Sequence, residues 1–187
     1  MCGIAGIFDL TGERDVDREL LRAMNQAQLH RGPDEGGEYF EPGIAFGHRR
    51  LSIIDLASGQ QPMHSADGSL CVVYNGEIYN FRELATELRK LGYSFRTHCD
   101  TEVILYAWHE WGERCVERFR GMFAFALYDK RHRSVFLARD RFGIKPLFYA
   151  VLPDGRLLFG SELKVLKAHP ALPRALGATL HTSTPMR

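Results

Sequence analysis

The chain has no uninterrupted apolar run near the roughly 20 residues that span a bilayer, so a helical membrane span is not expected. It has no basic leader, because Met1 passes directly into a short apolar stretch without the charged start of a secretory signal. It has little net charge, +1 with histidine neutral, which removes the electrostatic case for nucleic acid or an anionic membrane as partner. The four cysteines, Cys2, Cys71, Cys99 and Cys115, include no Cys-x-x-Cys pair and are widely spaced. That argues against a metal site and, in a leaderless chain, against a disulfide framework. A reducing cytoplasm is the expected compartment. Internal repeats and low-complexity linkers are also missing.

What is there suits one domain with a core: 187 residues, 45% hydrophobic and 25% charged. Small and apolar residues over 3–10 predict a buried strand, and Asp17 is placed to cap a helix reaching about Gln28, with Leu20, Leu21, Met24 and Ala27 inward. Residues 30–37 read as a breaker-rich loop. Strands follow over 43–48 and 50–55, then a long loop through Gly59 and Pro62. Asp67-Gly68 signals a turn before a strand over 70–74, and Asn75-Gly76 reads locally as a second, hairpin turn. Helices are expected over 81–91 and 101–111. A hairpin follows over 122–129 and 134–139, then strands over 147–151 and 156–160. Ser161 is placed to cap a short helix. Antiparallel strands at both ends with helices between them predict a layered α+β domain, not a parallel βαβ sheet.

Cys2 is the first candidate for chemistry. Removal of Met1 would leave it N-terminal, with a nucleophilic thiol and an α-amine of ordinary pKa about 7.7–8.0 on one Cα, so no separate base is required. The other reading is a small apolar residue that happens to be second. Cys71, Cys99 and Cys115 lack such a device and read as structural thiols. Asn75 and the Gly76 N–H could together stabilise an oxyanion, with Glu77 beside them for an ammonium; the same residues also suit a tight turn. Arg50 and Asp100 fit the carboxylate and ammonium of a free amino acid. Each is equally a surface charge, or for Asp100 a helix cap.

Taken in order, these segments resemble the class II glutamine amidotransferases, whose glutaminase domains have an N-terminal nucleophile. The resemblance rests on Cys2-Gly3-Ile4-Ala5-Gly6, His30-Arg31-Gly32-Pro33-Asp34, Gly47-His48-Arg49-Arg50-Leu51-Ser52-Ile53-Ile54-Asp55, Gln61-Pro62, Asn75-Gly76-Glu77-Ile78-Tyr79-Asn80 and Asp100-Thr101-Glu102. It continues through residues 119–126, 138–147 and 161–164, and its form is similar to the asparagine synthetase branch. The family implies a four-layer αββα sandwich, two antiparallel sheets between helices. It also implies roles. Cys2 attacks the glutamine side-chain amide, Asn75 and Gly76 hold the oxyanion, and Arg50 takes the α-carboxylate. Glu77 and Asp100 take the α-ammonium, and Leu51, Ser52, Ile53 and Ile54 line the pocket. Glutamine hydrolysis so performed uses no metal and no organic cofactor.

An asparagine synthetase also carries a domain that binds ATP and Mg through a Ser-Gly-Gly-Leu-Asp-Ser-type loop, which this sequence lacks. The expected division is a glutaminase domain over 1–173 and an unassigned tail over 174–187. A fragment, a truncated gene product and a stand-alone glutaminase serving a synthetase in trans would all read this way, as would a non-catalytic remnant.

Overall fold

β1 (Gly3–Asp9) is buried along nearly its whole length because it lies in the middle of a sheet with layers on both sides. The computed structural model describes residues 1–12, 14–51 and 59–172. β1 pairs with β3 (Ile44–Arg50) on one edge and β9 (Arg156–Gly160) on the other; β2 (Glu35–Glu41) and β8 (Phe148–Val151) complete a five-stranded sheet in the order β2-β3-β1-β9-β8. A second sheet has the order β4-β5-β6-β7, from Met63–His64, Leu70–Ile78, Gly121–Asp129 and Ser134–Arg139. Every pairing is antiparallel.

Side-chain alternation along the strands divides the core into three. Ile4, Ile44, Phe46, Cys71, Val73, Ala126 and Phe159 fill the space between the sheets. The outer face of the first sheet packs through Ala5, Ile7 and Leu158 against helices α1 (Arg18–Gln26) and α5 (Leu163–Lys167). The outer face of the second packs through Val72, Tyr74 and Phe125 against α2 (Phe81–Lys90) and α3 (Asp100–Trp111), with the short α4 (Cys115–Arg118) beside them. The result is the expected αββα sandwich. Asp17 caps α1 as its sequence position predicts, accepting from the Glu19 and Leu20 amides.

Several local expectations give way to tertiary pairing. Residues 35–37 are not loop: they open β2, paired from Glu35↔Arg50 to Gly37↔His48. Asn75-Gly76 is not a turn but the interior of β5, opposite Ala124 and Phe123 of β6. Ser161 does not cap α5; its hydroxyl accepts from the Ile4 N–H at 2.9 Å and its own N–H donates to the Ile4 carbonyl. Asp100 is the first residue of α3, with Cys99 at the cap position. Most of the strand expected over 50–55 lies outside the described residues.

His48 connects the sheets. Its imidazole lies on the inter-sheet face of β3, fully buried, with Nε2 donating to the Tyr74 carbonyl of β5 at 3.1 Å. Burial pushes its pKa down to about 4, outweighing the carbonyl hydrogen bond that raises it. The unfolded chain therefore takes up this proton first, near pH 6.5, and the fold loses stability as pH falls from there towards 4. A His48→Gln variant keeps an N–H donor but does not titrate. Urea denaturation should show wild type losing roughly 3 kcal/mol more than this variant between pH 7 and pH 4; parallel losses would refute the assignment.

Candidate active site

Cys2 stands immediately before β1, half-buried, while Cys71, Cys99 and Cys115 are buried in the core. Its Sγ points a weak donor at the Leu51 carbonyl, 3.9 Å away. Its own carbonyl accepts from Arg31 Nε at 2.9 Å, and Arg31 is in turn paired through Nη1 with Glu162 at 3.0 Å. Burial pushes the Glu162 carboxyl up, but hydrogen bonds from Arg31, His30 and Lys164 bring it down to about 2. The Cys2 backbone is thus held by a charged pair that brings together a turn before β2 and the approach to α5.

Asn75 is 2% exposed and lies on the same face of β5 as Cys71 and Val73, towards the opposite sheet. Its Nδ2 is buried with no hydrogen-bond partner among the described residues. A buried donor left unpaired costs free energy unless something else takes it up. Beside it, register decides where the Gly76 N–H points. Phe123, opposite Gly76, donates its N–H to Asp140 Oδ2 and accepts from the Asp140 N–H, so both its backbone groups face away from β5. Gly76 accordingly directs its own N–H away from β6, to the edge that β4 covers only as far as Val72. A Cβ at Gly76 would collide with the Met122 carbonyl and with Phe123. Only glycine lets the strands close here.

The amino-acid-binding candidates gather around the same strand end. Arg50 is 5% exposed at the end of β3, with Nη1 on Glu35 at 2.9 Å. Asp100 accepts from the Tyr74 hydroxyl at 2.6 Å and the Ile78 N–H at 2.9 Å. Burial pushes the Asp100 carboxyl up, against both hydrogen bonds. Glu77 is exposed. The Tyr74 phenol is pushed well above its usual pKa by burial and then by the Asp100 carboxylate that its hydroxyl meets. Ser52, Ile53 and Ile54 lie outside the described residues. Arg31, Glu162, His48 and Gln61 sit within matched sequence motifs, yet spacing alone assigned them no role; each acts through a contact distant in sequence.

A thiol, a buried amide donor, an edge N–H, a guanidinium and two carboxylates suit addition of sulfur to the side-chain amide of a free amino acid. Residues 1–182 match the glutamine amidotransferase domain family. The chain belongs to that family. As a glutamine amidotransferase domain it is 46% identical over 176 residues to asparagine synthetase [glutamine-hydrolyzing] 2 of Bacillus subtilis, covering 93% of this chain and 23% of that protein. It is 39% identical over 166 residues to asparagine synthetase [glutamine-hydrolyzing] 2 of rice, covering 89% and 28%. The chain therefore spans about a quarter of the length of these relatives. The domain's fold is shared with glutamine phosphoribosylpyrophosphate amidotransferase of Bacillus subtilis, TM-score 0.71 at 20% identity, over 89% of this chain and 43% of that one. Replacing Gly76 by Ala should destabilise the amidotransferase domain by about 1–3 kcal/mol in urea denaturation, the range for forcing atoms into a packed site; an unchanged midpoint would show that β5 and β6 are not packed as described.

Proposed function

We propose that residues 1–173 form a glutaminase that hydrolyses glutamine to glutamate and ammonia through a thioester on Cys2. The observation that carries this reading is the buried Asn75 amide, unpaired among the described residues, beside an edge-directed Gly76 N–H, two donors suited to a developing oxyanion. With Met1 removed, the Cys2 α-amine accepts the thiol proton as sulfur attacks the amide carbon, and Asn75 and Gly76 take the negative oxygen. The amine then returns the proton to the departing nitrogen, ammonia leaves, and water cleaves the thioester to release glutamate. Arg50 holds the substrate carboxylate, Asp100 and Glu77 the ammonium, and Leu51, with Ser52, Ile53 and Ile54, the wall of the pocket. This half-reaction uses no metal or organic cofactor. ATP and Mg belong to a synthetase domain such as the longer relatives' names imply, on this protein or in trans, in the cytoplasm.

The purified chain, freed of Met1, should release glutamate from glutamine, and Cys2→Ala should not. Protein that retains Met1, identified by N-terminal mass spectrometry, should also be inactive because its α-amine is acylated. Asn75→Ala should lower kcat by roughly 100-fold or more with little change in KM, the usual cost of an oxyanion donor. Absence of glutamate from intact, Met1-free wild type would overturn the reading.

A further inference from the structure

β5 runs six residues beyond its pairing with β4, and among the described residues its edge there is held by side chains and not by a neighbouring strand. β4 pairs with β5 at Met63↔Val72 and His64↔Cys71. At the next edge-facing residue, Tyr74, the N–H donates to Gln61 Oε1 at 2.6 Å and the carbonyl accepts from His48 Nε2 at 3.1 Å. Four residues further, the Ile78 N–H donates to Asp100 Oδ2 at 2.9 Å. Between these two clamps lies Gly76. Gln61 reaches its position because residue 37 is glycine: a Cβ there would collide with the Gln61 carbonyl.

We propose that Gln61 is a positioning residue for acyl transfer, its side-chain carbonyl replacing a strand at Tyr74 so that the Gly76 N–H stays unpaired and fixed in direction. This rests on the reading of Asn75 and Gly76 as oxyanion donors. A β-strand edge left without partners frays or recruits another strand. Either outcome removes the Gly76 N–H from the place where negative charge develops. A backbone partner at Tyr74 would extend the ladder and cover Gly76 as well. A single side chain satisfies Tyr74 and stops there. Gln61 touches the strand and not the reacting atoms, so its effect should fall on the step that forms the oxyanion and not on the nucleophile.

The test compares Gln61→Leu, which lacks the acceptor, with Gln61→Glu, which keeps it. Glutamine hydrolysis and alkylation of Cys2 by iodoacetamide are measured on the same Met1-free proteins. Alkylation displaces iodide at a saturated carbon and forms no oxyanion. Gln61→Leu should lower kcat by about 10-fold or more, with KM within about 3-fold, part of the 10²–10³ that loss of a whole donor costs. Its alkylation rate should match wild type, and Gln61→Glu should recover at least about half of kcat. Wild-type kcat in Gln61→Leu overturns the proposal while leaving the glutaminase reading intact. Parallel loss of hydrolysis and alkylation overturns it too, since that is general disturbance around Cys2. If Gln61→Leu does not fold, Gln61→Glu decides: loss of kcat there by 10-fold overturns the acceptor role. A wild type that alkylates but makes no glutamate overturns the glutaminase reading, and this proposal with it.

Discussion

Tyr74 is where the two sheets and the candidate site are tied together. Its carbonyl takes a hydrogen bond from His48 of the first sheet, its N–H donates to Gln61, and its hydroxyl donates to Asp100 at the start of α3. One residue thus joins three layers, and the residues that follow it in β5 are Asn75, Gly76 and Glu77. Because His48 is buried and kept neutral, the link across the layers is a dipolar one that carries no net charge into the core. The strand end inherits its position from packing on both sides.

Much of the fold is written in local sequence. β1, α1, α2, α3 and the β6–β7 hairpin follow from apolar periodicity, a capping Asp17 and turn residues. Where the sequence reading mistakes strand for loop or turn, glycine is the reason both times. Residues 35–37 and 75–76 have the composition of turns, yet both lie in strands because neighbouring backbone comes too close for a side chain: Gln61 at Gly37, and Met122 with Phe123 at Gly76. Glycine serves a turn by its freedom at positive φ and a strand by its lack of a Cβ. Local sequence does not separate the two uses, and only the register of the partner strand does.

The candidate site is legible to a different degree. Cys2, Arg50, Asn75, Glu77 and Asp100 have side chains whose chemistry suggests roles one residue at a time. Their supports do not. Arg31 fastens the Cys2 carbonyl, Glu162 fastens Arg31 from more than a hundred residues away, and Gln61 and His48 fasten Tyr74. An arginine, a glutamate or a glutamine of this kind is an ordinary surface residue until the fold brings its partner to it. Supporting contacts of this sort keep reacting groups within fractions of an ångström of productive geometry.

The charges of the site differ in how far they are satisfied before any substrate arrives, and that difference bears on the order of binding. Arg50 already holds Glu35 through one nitrogen, so a substrate carboxylate would add to an existing pair. Asp100 is different: among the described residues its side chain is held by the neutral Tyr74 hydroxyl and Ile78 N–H and by no cation, and burial pushes its carboxyl up. A desolvated carboxylate that has no cation beside it gains most when one is supplied. On the proposed reading the α-ammonium of glutamine is that cation, with the exposed Glu77 sharing the charge. The same carboxylate also holds the Ile78 N–H, two residues past Gly76. Binding of the amino-acid head group and the alignment of the oxyanion donor therefore meet at one carboxylate.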